Sequence, residues 1–327
     1  MQRRHFLGAV GASALSGAVP AWAADTYPSS IIRLVVPFPP GGPTDSFARL
    51  FATGLSKQLD QTVVVENKAG ASGAIGSMEV KTAKPDGYTL LFGTASTHAL
   101  YNLIQKKPRY DSSKDFDYVA VLGGAPVAFA VANSMPDNIK DLVAASKAKP
   151  GELNYGSPGT GTLLHVATEQ MLALTGAEIG HVPYKGSGPA MQDLMGGSIE
   201  MAVGTLGGML PLHRAGRMKL LGVATAKRLE LAPDIPTVAE SAGLAKPFEA
   251  LLWNVVAVPR NTPDAVRLRL AAAAKMAMDD PEMRTNLDTQ AMFADLHIGD
   301  VAATTFVKAE AAKWQPVITK LGPSIRR

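Results

Sequence analysis

The chain has 327 residues, 46% hydrophobic and 18% charged, with no cysteine and a formal net charge of +4. That balance excludes a disordered chain, and the missing thiols exclude disulfide scaffolds, thiolate zinc sites, iron–sulfur clusters and cysteine nucleophiles together. At roughly 100–200 residues per domain the length predicts two domains, and the absence of a Lys/Arg block argues against a nucleic-acid partner.

Residues 1–23, MQRRHFLGAVGASALSGAVPAWA, read as an export signal. Arg3 and Arg4 precede an apolar stretch from Phe6 to Val19. Pro20 and an Ala-x-Ala end at Ala21-Trp22-Ala23 follow, so cleavage is expected before Ala24. The run Arg3-Arg4-His5-Phe6-Leu7, with a stretch diluted by glycine and serine, resembles a twin-arginine signal more than a general secretory one. Removing those arginines leaves 30 basic residues against 28 acidic. The apolar stretch is shorter than the roughly 20 residues of a membrane span, and no later run reaches that length. The expected location is the periplasm.

Strands and helices then alternate. Ile31–Val36 is a β-branched run ended by Pro37-Phe38-Pro39-Pro40-Gly41-Gly42-Pro43, which no regular element tolerates. Phe47, Leu50, Phe51, Leu55 and Leu59 follow at helical spacing, with Thr44 or Asp45 as the expected N-cap. Thr62–Val65 leads through Glu66–Gly73 to a helix over about 74–83. Tyr88–Phe92 leads through Gly93–Thr97 to a helix over 99–104. Asn154-Tyr155, Ile179–Pro183 and Ile199–Val203 are each followed by a glycine-rich loop and a helix, and Leu220–Ala224 is one more strand. This beat predicts an α/β fold of open, mostly parallel sheets flanked by helices. Two long extended runs, Val119–Ala132 and Leu251–Val258, interrupt it. They are expected to be crossover strands between two lobes, one built from 24–125 and 249–327, the other from 126–248. The helical segments Pro263–Met278, Pro281–Leu287 and Gly299–Leu321 should pack on the first lobe.

In open α/β sheets ligands sit beyond the carboxyl ends of strands, where helices begin. A helix N-terminus presents unpaired N–H groups and a positive dipole end, and so attracts anions without a cationic side chain. The loops Gly41–Thr44, Gly70–Gly73 and Gly159–Thr162 are rich in glycine and hydroxyls. Their few charges are Asp45 at a helix start and Lys68 and Lys185 at the margins. A carboxylate held by N–H and O–H donors suits them better than a phosphate clamped by arginine.

Catalytic patterns are missing. There is no P-loop, no Gly-x-Ser-x-Gly elbow and no His-Glu-x-x-His. Gly159-x-Gly161 ends in Leu164 where a dinucleotide fingerprint requires glycine. His165 and Glu169, four apart on a predicted helix, could form a metal or acid–base pair or a simple structural hydrogen bond. Asp45 could serve as a base, though capping its helix accounts for it. Trp253 is expected in the core, and Phe38, between prolines and glycines, at a pocket wall. No cofactor and no metal are expected.

Val36-Pro37-Phe38 with Gly41-Gly42 and Asp45, then Glu66-Asn67-Lys68-Ala69-Gly70, resembles the Bug family, the receptor component of tripartite tricarboxylate transporters. Asn154-Tyr155-Gly156-Ser157 with Gly159 and His165, and Val182-Pro183-Tyr184-Lys185-Gly186 with Pro189-Ala190 and Asp193, extend the likeness. Arg228, Pro233, Pro236-Thr237, Glu240, Trp253, Pro259 and Thr262-Pro263 complete it. The resemblance implies a two-lobed periplasmic-binding-protein-like fold that closes over a small carboxylate and delivers it to membrane permease subunits, as a monomer and without chemistry. It implies ligand contacts from Phe38, Gly42, Thr44, Ala71 and Ser72, faced by Thr160, Thr162 and Thr205. Asp45, Thr94 and His165, in or beside the same post-strand loops, join them as candidates. Gly204-Thr205-Leu206-Gly207 stands where many relatives carry Phe-Asp, which favours a ligand without an amine and with an uncharged or aromatic tail. The competing readings are an exported hydrolase or lyase acting on a carboxylate, and a domain that senses ligand for a membrane signalling partner.

Overall fold

The computed structural model describes residues 27–325, so the export signal at 1–23 lies outside the described residues. The first strands and helices are β1 (Ile32–Val36), α1 (Pro43–Leu59), β2 (Val63–Asn67), α2 (Ala74–Lys81), β3 (Thr89–Thr94), α3 (Tyr101–Ile104) and β4 (Phe116–Val131). There follow α4 (Ile139–Ala148), β5 (Asn154–Ser157), α5 (Leu163–Thr175), β6 (Gly180–Pro183), α6 (Ser187–Gly196), β7 (Met201–Thr205), α7 (Leu206–Arg214) and β8 (Lys219–Val223). The chain ends with α8 (Val238–Ala242), β9 (Leu251–Pro259), α9 (Asp264–Asp279), α10 (Pro281–Thr289), β10 (His297–Ile298) and α11 (Asp300–Leu321).

The α/β alternation is present. β1 lies between β2 and β3, parallel to both, and β5 lies between β6 and β7, again parallel to both. The two long strands run antiparallel to their neighbours, because they carry the chain in opposite directions between the two triplets. β4 pairs with β9 through Phe116–Pro126, then with β7 and β8 through Val127–Val131. All of β4 is buried.

Alternation along β1 sorts its side chains onto two faces. Ile32, Leu34 and Val36 join Phe47, Phe51 and Leu55 of α1 and the alanine-rich face of α9. Val35 belongs to the opposite cluster, which continues through Val127, Phe129 and Val131 into Leu163, Val166 and Ala167 of α5. The C-terminal helix follows that apolar surface. α11 packs on β4 and also touches α5, so it reaches further than the first sheet on which the sequence placed it. Trp253 is fully buried, its indole N–H donating to Glu310 Oε2 at 3.0 Å.

Where the chain changes sheets, the backbone closes a small ring. Val127 N–H donates to Ala250 O (3.0 Å), Ala250 N–H to Ala224 O (3.1 Å) and Ala224 N–H to Val127 O (2.8 Å). Beside it Gly124 and Phe293 exchange both of their backbone bonds. Gly123 must be glycine there: its φ is +92°, and a β-carbon would lie 2.0 Å from Phe293 O.

Candidate functional site

The carboxyl ends of both parallel triplets open onto one cavity of about 240 Å3. Phe38, Gly42 and Thr44 reach it from the β1–α1 loop, and Ser96 from the π-helical turn after β3. Thr162 and Leu164 come from the start of α5, Lys185–Pro189 from the start of α6, and Leu252 from β9. The first turns of α1, α5 and α6 therefore converge, and with them three positive dipole ends. Thr44, Ser96, Thr162 and Ser187 add hydroxyls, and Lys185 at the rim is the one charged residue of the lining among the described residues. A second cavity of about 340 Å3 adjoins the first along Gly41–Pro43 and Ser187–Gly188, and Thr205 lines it at the start of α7.

The β1–α1 loop is built by a buried carboxylate. Gly42, with φ −84° and ψ 170°, is the N-cap of α1, and Pro43 occupies the first helical position, where no N–H is missed. Neither Thr44 nor Asp45 is therefore the cap. Asp45 reaches back from the third helical position to accept from Gly41 N–H (2.9 Å), Arg49 Nε (3.0 Å) and Asn67 Nδ2 (2.8 Å). Burial alone would raise its pKa, but Arg49, the Gly41 N–H and Asn67 outweigh that and hold the carboxyl below its ordinary range. Ionised and accepting three hydrogen bonds, Asp45 does not line the cavity and serves to hold the loop.

The second and third loops also differ from expectation. Ala71 (φ 48°) and Ser72 (φ 55°) are both left-handed, a conformation costly for residues with a β-carbon. Neither lines the cavity. Ser72 Oγ instead donates to Thr160 O at 2.6 Å, tying the β2–α2 loop to the β5–α5 loop. A second tie runs the other way, from Leu163 N–H to Ser96 Oγ at 2.9 Å. Thr160 thus takes part through its carbonyl rather than in the lining. Thr94 is fully buried away from the cavity, its N–H donating to Thr97 Oγ1. Oγ1 of Thr97 also bonds Nδ1 of His98, whose pKa burial pushes down to about 3.

Beneath the β5–α5 loop two imidazoles stack, His165 on His181, with centroids 4.0 Å apart. His165 Nδ1 accepts from Gly161 N–H at 3.1 Å, which requires that nitrogen unprotonated. Ser157 Oγ accepts from Gly159 N–H and bonds His181 Nε2 at 2.7 Å. Burial lowers the His181 pKa to about 4. Thr162 caps α5, accepting from His165 N–H and donating to Gly159 O at 2.7 Å. His165 lies under the loop and not in the lining. Glu169 accepts from Tyr155 O–H at 2.5 Å and stands 4.0 Å from His165 Nε2. The pair supports the loop. Among the described residues no group of three or more His, Asp or Glu could hold a metal ion, and no helix is long and apolar enough to cross a membrane.

Of the residues singled out in the sequence, the structure brings Phe38, Gly42, Thr44 and Thr162 to the first cavity and Thr205 to the second. Ser96, Gly186–Pro189 and Leu252 were missed at the first, and Met191, Met209, Gln290 and Met292 at the second. The Tyr184–Gly188 loop carried the same glycine-rich signal as the three singled out. Gln290 and Met292 carried none, since only tertiary packing brings them to α7.

Residues 47–323 match the tripartite tricarboxylate transporter family receptor, TctC. Protein BugT of Bordetella pertussis is 32% identical over 306 residues, covering 93% of each chain. Among solved structures, an R. palustris protein with adipate is 34% identical at TM-score 0.86, covering 90% of this chain and 98% of its own. MatC from Rhodopseudomonas palustris with bound malate is 30% identical at TM-score 0.83, covering 89% of this chain and all of its own. With this coverage, and with the cleft built from the loops its motifs mark, the chain belongs to the TctC receptor family that includes the Bug proteins.

Proposed function

We propose that this protein is an extracytoplasmic receptor that closes two lobes over a small organic carboxylate and hands it, unaltered, to the membrane subunits of a tripartite tricarboxylate-type transporter. The lobes are 24–125 with 249–327, and 126–248. They turn about the ring at Val127, Ala224 and Ala250.

One observation carries this reading. The cavity is walled by loops from both parallel triplets, and Ser72–Thr160 and Leu163–Ser96 bridge those loops, which supports a guest touching both lobes at once. A ligand that contacts both halves only when they meet shifts the population to the closed form. Converging helix N-termini and hydroxyls suit a carboxylate. The relatives solved with adipate and malate support the same class. Among the described residues the lining contains no His, Asp or Glu and Lys185 is its one titratable side chain, which weighs against the enzyme reading.

The test is calorimetry and thermal shift with a carboxylate panel, run beside chromatographic analysis of each bound compound. Saturable binding with the compound recovered intact is the expected result. Turnover of a bound acid would refute the receptor reading, and co-purification with a signalling protein rather than permease subunits would favour sensing. Export through residues 1–23 predicts a periplasmic monomer beginning at Ala24, read by intact mass.

A further inference from the structure

The C-terminal turn joins the two halves of the molecule through apolar contact. α11 cannot run on past Leu321. Gly322 takes φ 58° and ψ −122°, a conformation that glycine alone adopts at low cost, and Pro323 has no N–H to continue the helix. Gly322 N–H donates to Ile318 O, Ser324 Oγ donates to Leu321 O at 3.2 Å, and a 3-10 turn forms over Gly322–Ile325. That turn lies against α5. It delivers Ile325, fully buried, into one apolar cluster with Leu163 and Leu164 of α5 and Tyr101 and Ile104 of α3. The β5–α5 loop rests on the same floor: a β-carbon on Gly161 would stand 3.6 Å from Ile104 Cγ2 and 3.9 Å from Ile325 O. Just beyond Gly161, Thr162 and Leu164 line the first cavity. Ile325 does not line that cavity, but it packs on the helical turn that does.

Building on the receptor reading above, we propose that Gly322–Ile325 is a strap across the two lobes, with Ile325 as a positioning residue for the carboxylate site. In that reading α5 belongs to the lobe 126–248, whereas α3 and Ile325 belong to the lobe 24–125 with 249–327. A swing that opens the cleft parts Ile325 from Leu163 and Leu164 and wets the faces they bury against one another. Removing apolar surface from water is the dominant favourable term when two protein surfaces meet. The burial of Ile325 belongs to the closed form and so favours closure, and ligand affinity with it. In the closed form the strap holds the first turn of α5, and with it Thr162 and Leu164, in the place the ligand requires.

Calorimetry and stopped flow with propionate, succinate and benzoate test this, on whichever acid the parent binds most tightly. Ile325→Ala should raise Kd about tenfold or more, through faster dissociation. The Tm of the unliganded protein should hold, because the open form lacks the contact. Ile325→Leu should restore the affinity. Gly322→Ala strains the turn without meeting a neighbour, since a β-carbon there finds nothing within 4 Å. It should weaken binding in the same way, and serves if Ile325→Ala fails to fold. A Kd within twofold of the parent in the folded variants would overturn the strap and leave the receptor reading intact. A lowered unliganded Tm with that unchanged Kd would mark packing that never parts, and would overturn it equally. A parent that binds no carboxylate of a wider panel would overturn the receptor reading and the strap with it.

Discussion

Ser72→Ala separates closure from ligand contact. The Ser72 hydroxyl bridges the β2–α2 and β5–α5 loops through Thr160 O and does not line the cavity. Its removal costs the closed form one hydrogen bond, about 0.5–1.5 kcal/mol net, or roughly two- to tenfold in the closing equilibrium. If the unliganded protein is mainly open, Kd rises by the same factor, and calorimetry reads it directly. The change should appear in the dissociation rate, measured by stopped flow, because the tie forms after the ligand arrives. Ser72→Gly removes the same bond but relieves a left-handed backbone (φ 55°, ψ 36°), worth about 1 kcal/mol. Its Tm should therefore match or exceed that of Ser72→Ala while the affinity stays weakened. Ser72→Asp opposes a carboxylate to a carbonyl oxygen with no proton between them, and should weaken binding further than either. Affinity and dissociation rate in Ser72→Ala within twofold of the parent would show that this contact does not hold the lobes together.

Three further outcomes follow from the geometry. Asp45→Asn should lose about 1.5–3 kcal/mol at neutral pH, since charge-assisted bonds to Arg49 and Gly41 weaken together. Because the folded carboxyl titrates below its unfolded value near 3.9, the parent keeps that stability above about pH 4 and loses it on further acidification. Chemical denaturation across pH should therefore show the two proteins converging in acid. Half-buried His181 has its pKa lowered by desolvation to about 4, so the unfolded chain takes up its proton first and stability falls as pH drops from about 6.5 to about 4. His181→Gln, which can still bond Ser157, should make the denaturation profile less steep in that window, leaving the slope that His98 contributes. Gly207→Ala would force a methyl into the Gln290 carbonyl. It should cost about 1–3 kcal/mol, visible as a lower Tm.

The strand–helix beat was legible because burial imposes a period of two on β1 and near four on α1, both visible in Ile32–Val36 and in Phe47, Phe51, Leu55 and Leu59. Its punctuation was less legible. Thr44 and Asp45 are good N-cap residues, but Pro43 fits the first helical turn and moves the boundary back to Gly42. Two helices went unread although their caps are written in the chain: Asn138 accepts from Asp141 N–H before α4, and Thr237 with Glu240 forms a capping box before α8. Several residues that carry the family likeness turn out to tie loops together. Asn67 binds Asp45 and the Phe38 carbonyl, Tyr184 binds Asp193 at 2.6 Å, and Arg228 pairs with Glu240. That the glycine-rich loops gather at strand ends could be read from order alone. Which of them face a common space could not, because Ala71 and Ser72 both take left-handed backbone that no local pattern announces.

β4 is a single unbroken strand whose two halves serve different sheets. An extended backbone hardly stretches along its axis, so the halves of the molecule cannot draw apart like jaws on a slide. In the receptor proposed above they would swing, with the shared strand as torsion rod and the three-amide ring at Val127, Ala224 and Ala250 as its collar. In that receptor a disulfide tying β4 to β9 beside Pro126 would freeze uptake and release alike.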